Sequence, residues 1–414
     1  MRFDVLVLGG GIVGTALALD LAMRGRAVAI IERGTPGGET SFGNAGLIQS
    51  EAMMPYAFPR DPLLLLQYAL KLKPEAHYHL KDLFTVAPFL WRYFRASNRE
   101  GQLKTAAANF PLFNACLTEH QRLARAAGAE AMLRPGGWIK AFRNQKRFEA
   151  EIRQTAIDVG PFGVKYDVLD RKGLQAREPN LSDVVVGGIH WSTPFSLNDP
   201  EALTLAYAKQ FEVLGGKIIH ADAMSLAEER DGWSVKGAEG RISAPDCVVA
   251  LGPWAPDLLR TMGYQVPMGV KRGYHVHMRP KGNAKLGVPV LDADIGYMMV
   301  PMARGIRLTS GAEFAHRDSP PTPVQIDMIE PYAREMIPLE GRVEAKPWMG
   351  SRPCMPDMLS VMGRAPKHKG LWLSFGHAHH GLTLAGSAAR LLGEMITGEA
   401  PFTDPAPYSL ARFN

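Results

Sequence analysis

The chain has 414 residues, of which 46% are hydrophobic and 21% charged, which is the composition of a folded globular protein and excludes global disorder. Its net charge of +6 is small for this length and spread along the sequence, so nucleic acid is not indicated as a partner. The three cysteines, Cys116, Cys247 and Cys354, lie far apart without metal-ligand spacing, which predicts a reducing compartment and no disulfide framework.

The N-terminal segment has the order of elements that a dinucleotide-binding βαβ unit requires. The apolar run Val5–Leu8 predicts a strand, and the cluster Gly9-Gly10-Gly11-Ile12-Val13-Gly14 predicts a tight turn into a helix that reaches Arg24. A second buried strand is predicted over Ala27–Ile31, and it ends at the acidic residue Glu32. We therefore favour nucleotide binding over an ordinary glycine-rich turn.

Each motif residue has a physical task in such a unit. Gly9 permits the tight turn, Gly11 lets the backbone approach a pyrophosphate, and Gly14 lets the helix pack closely on the sheet. The helix N-terminus presents free N–H groups and a positive dipole end to the phosphates. Glu32 is placed to accept hydrogen bonds from the adenosine ribose.

The same segment includes an uncharged stretch that resembles a membrane span. Residues Val5–Leu19 form a run of fifteen residues closed by Asp20, which is too short to cross a bilayer. We predict a cytoplasmic protein, with peripheral contact at the inner face of the membrane as the alternative.

A loop of small residues follows Glu32. Residues 34–46 include five glycines, so their backbone is expected to pass close to something flat or charged. In a unit that binds NAD such a loop would have no obvious role, whereas beside a flavin it can contact the cofactor.

The region 61–130 is predicted to be helical. One segment begins at Pro62, a second covers Asp82–Arg95, and a third runs from about Pro111 to Ala127. The aromatic stretch Leu83–Arg95 ends with basic residues, so a membrane-surface or partner-binding patch is one interpretation. A helix buried in a second domain is the interpretation we favour.

The remainder alternates between strands and helices. Strands are predicted over 136–142, 184–191, 217–220, 247–252 and 370–375, with an antiparallel set over 270–315 and helices over 143–158, 200–214, 324–336 and 387–397. Asn198-Asp199 forms a cap for the helix that begins at Pro200.

Five motifs in order resemble those of the FAD-dependent D-amino-acid oxidase superfamily, and most closely the bacterial D-amino-acid dehydrogenases of the small-subunit type. They are the glycine motif with Glu32, Thr40–Ile48, Ala250–Trp254, Gly350–Asp357 with Gly363, and Gly376–Thr383.

The resemblance implies an α/β fold: a Rossmann-like FAD-binding domain joined to a discontinuous α+β substrate domain built on an antiparallel sheet. The expected FAD-binding domain comprises 1–60, 198–260 and 345–414, and the expected substrate-binding domain 61–197 and 261–344. FAD is the implied cofactor, and its implied contacts are Gly9, Gly11, Ile12, Val13, Gly14, Glu32, Arg33, Ser41, Asn44, Ala45, Gly46, Leu47, Met224, Gly252, Gly376, Gly381, Leu382 and Thr383.

The resemblance also implies a substrate site. Arg352 matches a residue that holds the substrate carboxylate, and Tyr297 matches one that donates its hydroxyl to the same group; a buried structural arginine and a core tyrosine are the alternatives. His379 and His380 depart from the dehydrogenase pattern and are expected to shape the pocket over the flavin rather than bind a metal. Cys354 is expected to be a buried thiol rather than a covalent flavin attachment.

The implied reaction is oxidation of an amino acid at Cα by hydride transfer to flavin N5. The implied substrate is a D-amino acid, a class that includes D-proline and hydroxy-D-proline. Electrons would pass to a quinone or the respiratory chain. The alternatives are a secondary-amine oxidase that uses oxygen and an FAD-binding accessory subunit of a larger complex.

Overall fold

The computed structural model of the protein describes residues 1–413, and Asn414, the last residue of the predicted FAD-binding segments, lies outside them. The helices are α1 Ile12–Met23, α2 Pro62–Ala69, α3 Leu83–Ala96, α4 Arg99–Ala126, α5 Gln145–Val159, α6 Arg171–Arg177, α7 Pro200–Val213, α8 Ala255–Thr261, α9 Val324–Met336 and α10 Gly381–Thr397.

The strands are β1 Val5–Leu8, β2 Val28–Glu32, β3 Leu47–Ile48, β4 Ala76–Tyr78, β5 Trp138–Phe142, β6 Asp167–Asp170, β7 Gly187–Trp191, β8 Phe195–Ser196, β9 Lys217–His220, β10 Ala227–Glu229, β11 Gly232–Gly237, β12 Gly240–Ala244, β13 Asp246–Val249, β14 Gly269–Pro280, β15 Val290–Asp292, β16 Tyr297–Met302, β17 Gly305–Thr309, β18 Ala312–Phe314, β19 Leu339–Arg342, β20 Trp348–Cys354, β21 Val361–Arg364 and β22 Leu371–Phe375.

A six-stranded sheet carries the N-terminal motif. Its order is β21-β22-β13-β1-β2-β9, and every pairing is parallel except that of the edge strand β21. The central strand β1 is apolar throughout, and β13 is apolar after Asp246, because both faces of the sheet are covered. One core cluster includes residues of α1, α4, α7 and α10, and another includes residues of α8 and of the antiparallel β10-β11-β12 meander.

A larger, mainly antiparallel sheet is built from strands distributed along the rest of the chain. Its path is β4-β18-β14-β17-β16-β15-β5-β7-β6, and β19 and β20 also pair with the long strand β14. Its core includes residues of α9, which begins and ends where the sequence pattern predicts. The α/β fold, with a parallel nucleotide-type sheet and a separate antiparallel sheet, is therefore confirmed.

Two predicted helix starts are wrong. The helix predicted from about Pro111 begins at Arg99, because Asn98 caps its N-terminus by accepting a hydrogen bond from Gly101 N–H at 2.7 Å. Pro111 therefore lies inside a long helix, although proline disfavours helix interiors. The packing of this helix against α10 stabilises it. The helix predicted from 387 begins at Gly381, because burial of Leu382, Thr383 and Leu384 stabilises a first turn whose glycine and threonine have low helix propensity.

The prediction of a fully buried helix over Leu83–Arg95 is correct for only one face. Val86, Phe89 and Tyr93 are buried, whereas Phe84 is 92% and Trp91 61% exposed. This seven-residue spacing places the two exposed aromatic side chains on the same side of α3.

Candidate functional site

A cavity of about 500 Å³ lies at the carboxyl ends of the parallel strands, where open α/β sheets bind their ligands. Residues that directly follow β1, β2, β9, β13 and β22 line it, among them Gly9, Arg33, Ala221, Ala250 and His377. A volume of this size is in the ordinary range for small-molecule and cofactor sites.

The glycine motif has the geometry that its predicted tasks require. Gly9 has a φ of +107°, a conformation that favours glycine. A Cβ on Gly14 would lie 2.1 Å from the Gly9 carbonyl oxygen, so only glycine lets α1 pack this closely on β1. A Cβ on Gly11 would meet only Ser41 Oγ, at 3.4 Å, which leaves open space in front of the helix N-terminus.

Glu32 stabilises the turn around this opening. Its two carboxylate oxygens accept hydrogen bonds from Gly10 N–H at 2.6 Å and Gly34 N–H at 2.8 Å. Each carboxylate oxygen can accept more than one hydrogen bond, so the side chain can also bind a hydroxyl group. The neighbouring Arg33 guanidinium lies 4.6 Å from the Trp254 ring centroid, and both residues line the cavity.

The small-residue loop is held against the helix and the large sheet. Ser41 Oγ accepts a hydrogen bond from Ile12 N–H at 3.0 Å, and Asn44 Oδ1 accepts one from Gly46 N–H at 2.8 Å. Arg307 on β17 donates to the Asn44 carbonyl oxygen at 2.6 Å. A Cβ on Gly43 would lie 1.7 Å from the Trp348 ring, so glycine is required for that approach.

The C-terminal glycine–histidine block meets this loop from the other side. Thr383 Oγ1 donates to the Leu47 carbonyl oxygen at 3.1 Å and accepts from Gln49 N–H at 3.3 Å. Gly376 has a φ of +78° and Ala378 one of +50°, so the backbone bends sharply just before α10. The two segments therefore form opposite walls of one site.

The structure brings most of the predicted FAD contacts to the cavity wall. Gly9, Gly11, Ile12, Val13, Glu32, Arg33, Ser41, Asn44, Met224, Gly252, Gly381 and Leu382 line it directly. Gly14, Ala45, Gly46, Leu47, Gly376 and Thr383 lie behind or beside the wall. Ala223, the neighbour of the expected contact Met224, also lines the cavity.

These residues fit an FAD molecule. The N-cap of α1 is Gly11, which has no side chain to cap the helix, and the first turn has no acidic residue. A helix N-terminus with an open, glycine-lined approach suits an anionic pyrophosphate. The cavity lining also includes Ser41, Asn44 and Gly381, so it extends beyond the glycine motif and Glu32.

Arg352 lies on β20, one residue before Pro353, which lines the cavity. Its guanidinium donates to the carbonyl oxygens of Gly311 at 3.1 Å and Ser310 at 3.5 Å. Among residues 1–413 no carboxylate pairs with it. Burial lowers the pKa of Arg352, although the group stays charged near neutral pH. The arginine is therefore a partly buried cation without an anionic partner in the described part of the chain.

The structure does not bring Tyr297 to Arg352, so the predicted pairing of these residues is wrong. Tyr297 lies on β16 within the core of the large sheet, and only 1% of its surface is exposed. Burial and the nearby Asp292 carboxylate raise its pKa, and its hydroxyl has no hydrogen-bond partner among the described residues. Tyr297 is therefore a tyrosine of the core, which was the alternative to a role in binding the substrate carboxylate.

His379 and His380 lie at the start of α10, and their ring centroids are 3.8 Å apart. Burial lowers the pKa of His379 and lowers that of His380 to about 3, so both imidazoles are neutral at pH 7. The charges of Arg352 and Lys271 also lower the pKa of His379, which places this ring on the Arg352 side. His380 instead packs edge-on against Phe113, at 5.0 Å.

Cys354 is buried at the end of β20. Burial raises the pKa of its thiol, which keeps it protonated and weakly reactive. It is outside the residues that line the cavity.

Two residues near Arg352 are absent from the sequence-based site. Tyr56 contacts His379 edge-on at 5.0 Å, and 60% of its surface is accessible even though burial raises its pKa. Lys271 lies opposite Arg352 on β14. Neither residue belongs to a local motif, so only the pairing of distant segments identifies them.

Comparison with known proteins agrees with this geometry. The family model described as "DAO: FAD dependent oxidoreductase" matches residues 4–395. The chain is 30% identical to a D-amino acid dehydrogenase of Rhizobium johnstonii over 427 residues, covering 99% of each chain. It is 28% identical to a D-amino-acid oxidase of Bradyrhizobium diazoefficiens over 429 residues, covering 99% of this chain and 98% of the other.

The fold is also that of solved structures. The glycine oxidase of Geobacillus kaustophilus superimposes with a TM-score of 0.75 at 22% identity and covers 99% of both chains. The matched family model spans the glycine motif, the small-residue loop, Arg352 and the glycine–histidine block. The chain thus belongs to the DAO family of FAD-dependent oxidoreductases.

Proposed function

We propose that the protein oxidises the Cα–N bond of a D-amino acid. The proposed substrates include cyclic D-amino acids such as D-proline and hydroxy-D-proline. The observation that carries this proposal is the partly buried, unpaired guanidinium of Arg352 beside the FAD cavity. A planar carboxylate is the anion that this group binds best, because two parallel N–H donors match two oxygens. Family relatives named D-amino acid dehydrogenase and D-amino-acid oxidase support the substrate class.

FAD, when bound, supplies the hydride acceptor for this chemistry. The chain's own contribution is to bind and orient the substrate. Arg352 holds the carboxylate and so fixes Cα, while the Gly311 and Ser310 carbonyl oxygens fix the guanidinium. The burial of Arg352 also excludes competing water from this contact.

The electrostatics of the site favour a neutral substrate amine. Arg352 and Lys271 carry positive charge, whereas the nearby His379 imidazole is neutral at pH 7. Like charges disfavour protonation of a bound amine, so the substrate ammonium group loses its proton on binding. The free amine is the form from which a hydride leaves Cα.

We also propose that the natural electron acceptor is a membrane quinone reached from an anionic membrane surface. The segments Pro62–Leu72 and Leu80–Trp91 expose large apolar side chains: Leu63, Leu66, Leu70, Leu72, Leu80, Phe84 and Trp91. Exposed basic residues Lys81, Arg92 and Arg95 lie in or beside the same segments. Apolar and aromatic side chains flanked by cations suit insertion into the headgroup region. None of the helices within residues 1–413 has the length and apolar character that a bilayer span requires.

The proposed reaction is tested with an anaerobic panel of D- and L-amino acids added to the FAD-loaded protein. We expect loss of the flavin absorbance with D-amino acids and no loss with their L-enantiomers. Reduction by L-amino acids alone, or by none of the panel, would reject the proposal. Turnover with a quinone analogue is then compared with peroxide release in oxygen; fast peroxide release would support the oxidase alternative.

Membrane attachment is tested by flotation with phosphatidylglycerol and phosphatidylcholine vesicles. The native chain is expected to float with the anionic vesicles, and the double variant Phe84→Ser/Trp91→Ser to remain in the dense fraction. Val213→Ser is the matched control, because Val213 is an exposed apolar side chain on α7, outside both segments. Equal flotation of the native chain and the double variant would rule out this surface.

A further inference from the structure

Lys271 and Arg352 are directly opposed on two neighbouring antiparallel strands. Lys271 on β14 is the register partner of Arg352 on β20. Directly opposed residues of an antiparallel pair project from the same face of the sheet. The position of Gly273 agrees, because a Cβ there would lie 2.2 Å from Arg352 Nη2. The two cationic side chains therefore share one face.

The surroundings of Lys271 offer no negative charge. Its Nζ lies 3.9 Å from the Tyr93 ring centroid and 4.0 Å from Met358 Sδ. The thiol of Cys354 is protonated because burial raises its pKa. Among residues 1–413 no carboxylate pairs with the Lys271 ammonium.

The next residue along β14 shows how a buried cation is usually compensated by a carboxylate. Arg272, fully buried on the opposite face of β14, donates to Glu313 at 2.7 Å. Its remaining N–H groups bind Tyr274 Oη and carbonyl oxygens. The same strand thus places a compensated cation on one face and an uncompensated one on the other.

A ring contact and a thioether do not replace a counter-ion. A cation–π contact offsets only part of the desolvation cost of a buried ammonium group. Burial and the adjacent Arg352 charge together lower the pKa of Lys271 to about 8, so the group is charged at pH 7 and lacks an anion. Two neighbouring uncompensated cations form a site for two negative charges.

This pair lies beside residues that line the FAD cavity. Pro353 and Ala378 line the FAD cavity, and Ala378 N–H donates to the Pro353 carbonyl oxygen at 2.8 Å. The charges of both cations reach His379, whose ring contacts the accessible Tyr56. Lys271 is therefore a near neighbour of any carboxylate that Arg352 binds.

We propose that Lys271 is a specificity-determining residue that binds a second carboxylate of the substrate, so that the preferred substrates are amino or imino dicarboxylates. This inference rests on the proposed function of Arg352 as the site of the α-carboxylate. Arg352 then orients Cα, and Lys271 selects the side chain. Monocarboxylic amino acids leave the ammonium group without its anion.

Paired substrates of equal size test the proposal. The FAD-loaded protein is assayed with D-glutamate against D-glutamine and D-aspartate against D-asparagine, using an artificial dye as acceptor. We expect kcat/KM to favour the acidic member by about tenfold or more, the effect of one charge-assisted hydrogen bond. Lys271→Met should abolish this preference by lowering kcat/KM for the acidic member about tenfold more than for the neutral member, and Lys271→Arg should restore part of it. The exposed Lys285 provides the control variant Lys285→Met.

Equal kcat/KM for both members in the native protein, or an equal loss for both in Lys271→Met, would overturn the proposal. A ligand-binding titration of the native protein decides the matter if the variant does not fold. Glutarate and butyrate differ by one carboxylate, and tighter binding of glutarate, seen as a flavin spectral shift, is the expected result. Equal binding would reject the role of Lys271, whereas failure of every amino acid to reduce the flavin would reject the reaction instead.

Discussion

Replacing Lys271 with methionine is expected to stabilise the folded protein. Methionine has nearly the same length and no charge, so it fills the space beside Tyr93 and Met358 without a counter-ion. A fall in the lysine pKa from 10.5 to about 8 corresponds to about 3 kcal/mol, at 1.36 kcal/mol for each pH unit. Because the side chain is partly accessible, we expect a gain of about 2 kcal/mol in the free energy of unfolding at pH 7.

The gain depends on pH in a direction that the pKa determines. Below pH 8 the ammonium group is charged in both the folded and unfolded states, so the native chain bears the full burial cost. Between about 8 and 10.5 the folded state releases its proton first, and the native chain gains stability as the pH rises. The advantage of Lys271→Met should therefore shrink from pH 7 to pH 9.5.

Urea titrations at both pH values, with FAD in excess and tryptophan fluorescence as the signal, measure this difference. Lys285→Met should stay within about 0.5 kcal/mol of the native chain, as exposed substitutions usually do. A destabilised Lys271→Met variant, or a gain that is equal at both pH values, would show that an anion already compensates the lysine. Higher stability together with lost selectivity for acidic substrates would mark the residue as functional.

Three further changes have defined outcomes. Arg352→Met should lower kcat/KM for D-amino acids by about 10² to 10³, because a buried charge pair is lost, and a smaller effect than tenfold would exclude it as the carboxylate site. Gly14→Ala should abolish FAD retention on a desalting column, since its Cβ would clash with the Gly9 carbonyl, whereas Gly160→Ala, which meets nothing within 4 Å, should retain the yellow colour. Burial raises the pKa of Glu51 to about 7, so its stabilising contribution is present below pH 4.5 and is lost as the pH rises through 7. Glu51→Gln, which still accepts from Trp138, should therefore raise the unfolding midpoint in urea more at pH 8 than at pH 5, and no difference between the two would contradict the burial argument.

The nucleotide-binding half of the site could be predicted from sequence because its information is local. A glycine at position 9, 11 or 14 acts through a turn only a few residues long, and Glu32 ends the strand that follows the helix. The small-residue loop and the glycine–histidine block are likewise continuous segments. Their residues line or adjoin the same cavity.

The substrate half could be predicted only in part, because side-chain direction in a sheet depends on register. A shift of one residue moves a side chain to the opposite face, and Tyr297 points into the core beside Asp292 rather than toward Arg352. The exposed face of α3 was only the less favoured of two interpretations, because an aromatic-rich stretch alone does not reveal which side its neighbours cover.

The sequence by itself therefore determined the cofactor class, the fold class and the position of the arginine that we propose as the carboxylate site. Only the tertiary structure decided what surrounds that arginine. The pairing of β14 with β20 joins residues about eighty positions apart and places Lys271 beside Arg352, while Tyr56 comes from a distant loop. Such contacts arise from long-range pairing and packing, which no local pattern of residues encodes.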